Sequence, residues 1–303
     1  MNKFDLMSAG EKASSLIKAS TLIEALPYLR EHKGKKIVIK YGGHAMGNKE
    51  LSANFSKDIG LLKEVGIKPI IIHGGGPQID NNLKKKNIVS KFVEGLRVTN
   101  IDIINIIEDV LAKKINTKIV KEMKKFGANA VGLAGNKKNL IYAKKLELNK
   151  KINYRVGKKN IDLGYVGYPY KINHKLIDSY LERSLIPIIA PLGTDGKNTY
   201  NINADTVAGA IAIATKASKL ILLTDVQGIL NKNKKLIPEL RVNEAIRISK
   251  HNFIKGGMKP KIITCVEAIK GGVKDATILD GRIPHAIILE LFTIVGVGTQ
   301  IKK

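Results

Sequence analysis

The chain has 303 residues, of which 44% are hydrophobic and 26% are charged, a balance typical of a folded globular protein rather than a disordered one. No apolar run reaches the roughly 20 residues of a membrane span, and the opening residues lack the apolar segment of a signal peptide. We therefore expect a cytoplasmic protein without a membrane anchor, in which the single cysteine, Cys265, is a buried and unreactive thiol.

The positive charge of the chain is spread out rather than gathered in one basic stripe. Lysine and arginine number 52 against 26 acidic residues, for a formal net charge of +26, yet the lysines occur as short scattered pairs and triplets. A nucleic-acid binder would combine a basic stripe with aromatic stacking residues, and the sequence contains no tryptophan. We therefore predict no nucleic-acid partner, and we expect the charge to attract anionic small substrates to a cleft.

The amino terminus predicts a helix with an apolar face over residues 11–32. Pro27 lies inside this pattern, so we expect a kinked or two-part helix, and Thr21 and Glu24 have the spacing of a capping box. The apolar face would pack either on its own domain or on another subunit, and the pattern leaves both open.

Beyond residue 35, strand and helix patterns alternate along the chain. Residues 138–170 differ, since short β patterns and turn residues there favour hairpins that form an edge or a flap. The alternation predicts an α/β fold, a three-layer αβα sandwich around a mainly parallel sheet, with the N-terminal helix as an extension. The predicted strands are 36–41, 68–73, 128–133, 186–191, 220–224, 276–279 and one after Gly298. The predicted helices are 50–65, one opening at Pro77, one long or two consecutive helices over 100–126, and 174–183, 204–216, 242–249 and 260–270.

A polar loop at 193–198 (GTDGKN) marks the predicted boundary between two lobes. We expect an N-terminal helix extension at 1–34, an N-terminal lobe at 35–195 and a C-terminal lobe at 196–303. No internal repeat or low-complexity segment interrupts this organisation.

Two of the predicted strands end in glycines, as YGG at 41–43 and HGGG at 73–76. One glycine normally suffices for a tight turn, so the triplet indicates either such a turn or a loop whose bare N–H groups hold an anion. Ligands of parallel α/β sheets bind beyond the carboxyl ends of the strands, where both stretches are placed. The motifs GxGxxG and GxxxxGK[ST] are absent from these turns, which disfavours a dehydrogenase and a P-loop enzyme.

Several charged side chains adjoin the glycine stretches or the helix starts. Lys40 precedes YGG at the end of a predicted strand, where it is either half-exposed or in contact with a phosphate. Lys261 follows a glycine pair near a helix start, where anions are favoured, whereas its neighbour Lys259 is interpreted as a solvated charge. Asp205, in NINAD, fits the stabilisation of a helix N-terminus. Arg97 is either an ordinary surface arginine or a bidentate carboxylate clamp.

Together with these residues, eight stretches carry a resemblance over nearly the whole chain: IVIKYGG, HGGGPQI, EGLRVT, IPIIAPLG, YNINADTVAG, LLTDVQGI, GGMKPK and DGRIPHAIILE. In this order they resemble the N-acetylglutamate kinases of the amino-acid kinase family. The resemblance implies phosphorylation of the γ-carboxylate of N-acetyl-L-glutamate, the second step of arginine biosynthesis. It implies ATP with Mg²⁺ as the cofactor, the ion being carried on ATP without a protein ligand. Another acid or amino-acid kinase of the same fold is the alternative.

The resemblance also implies roles for individual residues. Lys40 and Lys261 would stabilise the transferring phosphoryl group, and Asp205 would hold both lysines. His73 would order the glycine loop rather than take part in the chemistry. The N-terminal lobe would bind N-acetylglutamate and mediate dimerisation, and the C-terminal lobe would bind ATP. The implied substrate contacts are Gly74, Gly75, Arg97 and Asn201, and the implied nucleotide contacts are Gly42, Gly43, Thr224, Asp225 and Gly228.

The N-terminal helix resembles that of the arginine-inhibited members, in which it interlaces dimers into a hexamer. Tyr28, Glu290 and Gly296 match positions that bind arginine in those members, whereas Thr277 stands where relatives carry histidine. The resemblance thus implies feedback inhibition by arginine and a homo-oligomer, either a dimer or a hexamer built as a trimer of dimers. It also raises a PII-type protein as a further regulator.

Overall fold

The computed structural model describes residues 4–42, 46–150, 159–254, 256–294 and 296–303. Gly43, to which the resemblance assigns a nucleotide contact, lies outside them. The strands in the described part are β1 (Lys36–Tyr41), β2 (Lys68–His73), β3 (Phe92–Val93), β4 (Leu96–Arg97), β5 (Ala130–Ala134), β6 (Ile141–Lys150), β7 (Lys159–Ile172), β8 (Ile186–Ala190), β9 (Leu192–Thr194), β10 (Thr199–Asn201), β11 (Lys219–Thr224), β12 (Glu239–Arg241), β13 (Asp275–Asp280) and β14 (Gly298–Lys302). The helices are α1 (Ala9–His32), α2 (Lys49–Glu64), α3 (Gly76–Lys85), α4 (Ile101–Glu108), α5 (Asn116–Lys125), α6 (His174–Glu182), α7 (Ala204–Ala214), α8 (Val242–Ser249), α9 (Met258–Lys270) and α10 (Ala286–Phe292), and a π-helical segment, Asp109–Ile115, joins α4 to α5.

Eight strands form the central sheet, in the order β12-β14-β13-β11-β1-β2-β8-β5. β1 lies near the middle and pairs in parallel with β11 on one side and with β2 on the other. The sheet becomes antiparallel where β14 pairs with β13. The predicted α/β fold with a mainly parallel sheet is therefore confirmed.

Strand β1 illustrates how the sheet builds a core on both of its faces. Side chains alternate between the faces of a strand, so Ile37 and Ile39 join one apolar cluster with residues of α2, α4 and α5. Val38 joins a second cluster with residues of α7 and α9 on the opposite face. Each of these side chains is fully buried and contributes roughly 1.5–3 kcal/mol relative to an exposed position. A strand that is covered on both faces needs a continuous apolar run rather than alternating apolar and polar residues. Such a run is the pattern from which β1 was predicted.

Helix α1 is one continuous element of 24 residues that passes through Pro27. Its capping box is formed by Ser8 and Glu11, so the prediction of a box at Thr21 was wrong. The Thr21 hydroxyl instead donates to the Ile17 carbonyl, at 2.8 Å, inside the helix. The two Ser/Thr-x-x-Glu patterns are equivalent as sequence, but free N–H groups are available only at the start of a helix.

The two ends of α1 differ in how they pack. Tyr28 and Leu29, near its carboxyl end, pack against the apolar core of their own chain. Apolar side chains nearer its start are exposed, at 60% for Leu16 and 70% for Ile23. The helix therefore docks on its own domain by its last turns and leaves an apolar stripe uncovered.

Strands β6 and β7 pair antiparallel and close a small barrel with β9 and β10. Antiparallel pairing was expected within residues 138–170, but as short hairpins, and residues 151–158 between the two strands lie outside the described part. Since β9 and β10 pair antiparallel, with Thr199 opposite Thr194, the predicted loop at 193–198 is the turn of a hairpin. The proposed lobe boundary falls in this turn, and the division into 1–34, 35–195 and 196–303 stays a prediction. The sequence pattern missed β3, β4, β12 and α10, because elements of two to seven residues carry too little periodicity.

In the described part of the chain, no helix combines the length and apolar character that crossing a membrane requires.

Candidate active site

The carboxyl ends of β1 and β2 bring the two glycine stretches side by side. Gly42 follows β1 and Gly74 follows β2, and a Cβ at Gly74 would lie 3.7 Å from the Gly42 Cα atom. A Cβ at Gly42 would lie 2.8 Å from the Lys40 ammonium nitrogen, which is too close for a real contact. Two loops of bare backbone thus meet at the edge of the sheet where parallel α/β proteins bind ligands.

Two lysines and one aspartate form an ion-paired cluster at this edge. Lys40 Nζ, on β1, lies 3.2 Å from Asp205 Oδ1, and Lys261 Nζ, on α9, donates to Asp205 Oδ2 at 2.6 Å. Asp205 lies in the first turn of α7, but the cap of that helix is Asn203. The Asn203 Oδ1 atom accepts from the N–H groups of Asp205 and Thr206, at 2.8 and 3.2 Å. The Asp205 carboxylate therefore faces the two lysines instead of capping its own helix.

Burial controls the charge of this cluster. Lys40 is 9% exposed and Asp205 is 4% exposed. Burial lowers the pKa of Lys40 below its ordinary value, and the nearby Asp205 carboxylate opposes that shift. Burial alone would raise the pKa of Asp205, but the Lys40 and Lys261 ammonium groups outweigh it and hold that pKa below its ordinary value. One carboxylate between two ammonium groups leaves a net positive charge that can face an anion.

The HGGG turn has fewer free donors than its sequence suggests. The Gly74 N–H donates to the Tyr41 carbonyl at 2.7 Å, so it is not one of the free N–H groups that an anion-holding glycine loop would offer, and Gly74 supplies bare backbone instead. Gly75 is the N-cap of α3, and the next residues are Gly76 and Pro77. Among the described residues the N–H groups of Gly75 and Gly76 have no internal acceptor, and Pro77 has no N–H. The donors that this turn offers to an anion are therefore those of Gly75 and Gly76.

A cleft of about 440 Å³ opens beside Lys40 and Lys261. Gly228, in its wall, has φ 144°, and a Cβ there would lie 2.7 Å from the Thr299 hydroxyl oxygen, so a side chain is excluded on both grounds. The apolar part of the wall was not predicted, because the loop before α9 carries no periodic pattern. Apolar walls ending at two cations suit a ligand with a flat ring and an anionic tail. The cleft is also lined by Thr224, Asp225, Val226, Leu230, Phe253, Ile254, Gly257 and Met258.

Arg97 and Asn201 lie in separate small sheets. Arg97, on β4, is 7% exposed, so it is not an ordinary surface arginine. Its guanidinium pairs with the Asp80 carboxylate at 2.6 Å and lies over the Phe92 ring, with its Cζ atom 4.6 Å from the ring centroid. Asn201 ends β10 on the small barrel. Their roles in binding a substrate carboxylate stay predictions.

The amino acid kinase family matches residues 35–280, which is most of the chain. This chain belongs to the amino acid kinase family. Among its relatives, the acetylglutamate kinase of Rhodospirillum centenum is 50% identical over 298 residues, which are 98% of this chain and 97% of that protein.

Solved structures extend the family likeness to more distant proteins. N-acetylglutamate synthase from Neisseria gonorrhoeae, complexed with coenzyme A and N-acetyl-glutamate, superposes with a TM-score of 0.82 at 26% identity and covers 94% of this chain. The match spans 63% of the length of that synthase, which has also been solved with L-arginine, at a TM-score of 0.77. Carbamate kinase from Giardia lamblia bound to AMP-PNP superposes at 0.61 with 17% identity, over 89% of this chain and 99% of its own, which shows a shared fold.

A second cavity of this amino acid kinase, of about 550 Å³, lies where α1 meets α10 and the strands at that end of the sheet. Tyr28, Glu290 and Gly296 all line it, so the structure brings together the three residues that the resemblance assigns to arginine. A Cβ at Gly296 would lie 2.9 Å from Glu290 Oε2, so a glycine there keeps the carboxylate accessible. Arginine binding itself stays a prediction.

The floor of this second cavity is acidic. Glu290 Oε1 lies 3.2 Å from the Lys219 ammonium nitrogen and accepts from the Thr277 hydroxyl at 2.8 Å. Lys219 also pairs with Asp275. Two carboxylates against one ammonium group leave a net negative charge, which suits a guanidinium ligand. Sequence reasoning missed Lys219, although a lysine that opens a fully buried strand was a usable signal.

Proposed function

We propose that this chain is an acetylglutamate kinase, which transfers the γ-phosphoryl group of ATP to the γ-carboxylate of N-acetyl-L-glutamate. The product is N-acetyl-L-glutamyl 5-phosphate, and the reaction serves arginine biosynthesis in the cytoplasm. The observation that carries the proposal is the buried cluster of Lys40, Asp205 and Lys261 at the sheet edge. The chain is also 50% identical to an acetylglutamate kinase over nearly its whole length.

The cluster fits the demands of phosphoryl transfer to a carboxylate. A carboxylate with a pKa near ~4 is already ionised at neutral pH and needs no general base. The barrier lies in bringing two anions together and in the charge on the moving phosphoryl group. Lys40 and Lys261 would neutralise that charge from two sides, and Asp205, paired with both, keeps their ammonium groups turned toward the site.

The remaining contacts divide between the two ends of the site. The N–H groups of Gly75 and Gly76 would hold the attacking carboxylate, and Gly74 would let it approach the backbone. Arg97 and Asn201 would bind the α-carboxylate end of N-acetylglutamate. We assign the nucleotide to the cleft beside Lys40, which Thr224, Asp225 and Gly228 line. Gly42 and Gly43 are added as nucleotide contacts on the resemblance alone.

We expect Mg²⁺ to enter the site on the phosphate oxygens of ATP. Mg²⁺ is commonly bound by one or two carboxylates together with substrate phosphates. Within the described residues, no group of three His, Cys, Asp or Glu side chains is placed to hold a metal ion. The Asp205 carboxylate is already paired with two lysines, so the nucleotide itself is the proposed source of ligands.

A hydroxylamine-trapping assay tests the proposed reaction. The acyl phosphate reacts with hydroxylamine to a hydroxamate, so the assay reports phosphorylation of a carboxylate directly. We would supply MgATP with N-acetyl-L-glutamate, glutamate, aspartate or N-acetylaspartate in parallel. Hydroxamate from N-acetylglutamate alone supports the proposal. A folded protein that is inactive on it, or that prefers another acid, would show that the chain is a different acid kinase of this fold.

We further propose that the second cavity binds arginine as a feedback inhibitor. Glu290 would pair with the guanidinium group, and Tyr28, on α1, would form the opposite wall. The uncovered apolar stripe of α1 supports a homo-oligomer, with a hexamer of three dimers as the proposed form. A PII-type regulator stays a prediction that the sequence raised.

A further inference from the structure

A buried histidine and a buried asparagine lie behind the glycine turn of the active site. His73 is the last residue of β2 and is fully buried, and Asn116 is the first residue of α5 and is 3% exposed. The resemblance implies only that His73 orders the glycine loop. We propose that Asn116 fixes the tautomer of His73 and that both are positioning residues, which fix the Gly74–Gly75 peptide so that the Gly75 N–H points into the site. This inference rests on the proposed function for its kinetic consequence.

The first step of the argument is the orientation of the Asn116 amide. Its Nδ2 atom lies 2.8 Å from the Ile188 carbonyl oxygen and 3.2 Å from His73 Nε2. A carbonyl oxygen only accepts, so one Nδ2 hydrogen must point at Ile188. The second hydrogen has two acceptors within reach, the Leu133 carbonyl oxygen at 3.5 Å and His73 Nε2 at 3.2 Å, and the shorter contact is the one to Nε2, which accepts it. Gly132 leaves room for the other end of the amide, since a Cβ there would lie 2.1 Å from Asn116 Oδ1.

The second step is the tautomer of His73. Because Nε2 accepts a hydrogen bond, the single proton of the neutral ring is on Nδ1. Nδ1 lies 2.9 Å from the Gly74 carbonyl oxygen and donates to it. Burial lowers the pKa of His73 to about 4, so the ring is neutral at physiological pH and does not act as a general acid there.

The third step is the direction of the Gly75 N–H. The Gly74–Gly75 peptide is trans, and in a trans peptide the carbonyl and the following N–H point in opposite directions. His73 holds the Gly74 carbonyl on the inner side, and the Tyr41 carbonyl holds the Gly74 N–H. The Gly75 N–H is therefore turned away from His73. His73 is in register with Tyr41, the residue after Lys40, and side chains alternate between the faces of a strand, so the Lys40 cluster lies on the face of the sheet opposite to the His73 ring.

The helix that carries Asn116 also supports the turn through apolar contacts. A Cβ at Gly75 would lie 2.5 Å from Leu111 Cδ2 and 2.6 Å from Ile115 Cδ1, so both side chains pack against the turn. Both belong to the π-helical segment, which ends one residue before Asn116. A π-turn inserts an extra residue and rotates the next turn of the helix, and such turns are frequent at functional sites. In this chain, Leu111 and Ile115 of the π-helical segment contact the glycine turn directly, and Asn116, the next residue, contacts it through His73.

Two substitutions of His73 separate a positioning role from a packing role. In His73→Asn the amide nitrogen can take the place of Nδ1 and still donate to the Gly74 carbonyl, although the side chain is smaller. In His73→Gln the amide reaches the place of Nε2, and the donor to Gly74 is lost. We expect His73→Gln to lose roughly 10–100-fold in kcat in the hydroxamate assay, because a buried carbonyl is left without its hydrogen-bond donor, with the KM for ATP unchanged, and His73→Asn to retain more activity. Thermal unfolding should show the opposite order, because His73→Asn leaves the larger cavity.

Equal activity in the two variants, or activity that follows thermal stability, would overturn the positioning role. Solid-state ¹⁵N NMR of histidine-labelled protein shows which ring nitrogen carries the proton and does not depend on catalysis. The His73 signal is the one that is missing from the spectrum of His73→Asn. A proton on Nδ1 of His73 is expected, and a proton on Nε2 would overturn the inference. If the wild-type protein is inactive on N-acetylglutamate, the proposed function fails, and the ring-nitrogen spectrum still decides how His73 is held.

Discussion

The ammonium nitrogen of Lys261 lies 2.6 Å from Oδ2 of Asp205, although 56 residues separate them in the chain. The same carboxylate pairs with Lys40 through its other oxygen. Three segments of the chain are thus joined by charge at one point of the sheet edge. The lysines are held close together by a shared counter-ion, in a place where burial would otherwise oppose their charge.

Replacing Lys261 by alanine removes one of the two cations that we propose stabilise the transferring phosphoryl group. We expect kcat to fall by about 10²–10³-fold, the usual effect of losing one electrostatic stabiliser of a transition state. Lys259→Ala is the matched control, since Lys259 is exposed on the same helix. Steady-state kinetics with the hydroxamate assay measure both, and equal losses in the two variants would contradict the assignment.

Replacing Asp205 by asparagine leaves two cations facing each other without their counter-ion. We expect the free energy of unfolding to fall by about 3–5 kcal/mol, the typical effect of breaking a buried pair. The pKa of Lys40, already lowered by burial, should fall further, because the carboxylate that opposes the shift is gone. The alkaline limb of the pH–rate profile should therefore move to lower pH.

Urea unfolding and a pH–rate profile test the Asp205 prediction. Asp162→Asn serves as the control, since Asp162 forms an exposed pair with Lys145 on the flap hairpin. An alkaline limb that stays in place in Asp205→Asn would show that Lys40 ionisation does not limit the reaction.

Adding one methyl group to the glycine turn should lower stability at one position and leave it nearly unchanged at the next. Gly75→Ala places a Cβ within 2.6 Å of Leu111 and Ile115, so we expect it to lower the free energy of unfolding, by about 1–3 kcal/mol as for other overpacked sites. Gly76→Ala places a Cβ in open space and should leave stability nearly unchanged. Thermal unfolding measures the stability of both variants. If Gly75→Ala is as stable as the wild type, Leu111 and Ile115 can move away from the added Cβ at little cost.

Arginine should inhibit the enzyme through Glu290. A charge-assisted hydrogen bond contributes about 1.5–3 kcal/mol, so Glu290→Gln should raise the half-inhibitory arginine concentration roughly tenfold to hundredfold. Glu239→Gln is the control, since Glu239 lies on the rim of the same cavity and pairs with Lys302. Wild-type activity that is unchanged at millimolar arginine would remove the inhibitor proposal altogether.

The fold was predictable because its strands are short apolar runs between clear helix signals. The strands at 36–41 and 68–73 were placed at their observed bounds, since fully buried parallel strands leave the strongest pattern. The barrel and its short strands were not, because their pairing joins segments distant in the chain, such as Tyr142 and Thr194. The capping box was misplaced because its pattern occurs twice in one helix.

The residues of the site were identified by resemblance rather than by spacing. Spacing alone favoured Asp205 as a helix-stabilising residue, and the structure shows that Asn203 performs the capping. The internal partner of the Gly74 N–H could not be foreseen, because it depends on the parallel register of β1 and β2. Asn116 carried no signal at all, since its partners lie on three different strands.

Gly42 and Gly74 lie side by side where β1 and β2 end, and the two loops are joined by the hydrogen bond that the Gly74 N–H donates to the Tyr41 carbonyl. A displacement of one loop is therefore transmitted directly to the other. If nucleotide and acceptor each reshape their own loop, occupancy of either one changes the affinity for the other, and by the same factor in both directions. We would titrate N-acetylglutamate with and without a non-hydrolysable ATP analogue, and the analogue with and without N-acetylglutamate. The two ratios of dissociation constants should be equal, so that the two glycine stretches behave as one thermodynamic unit.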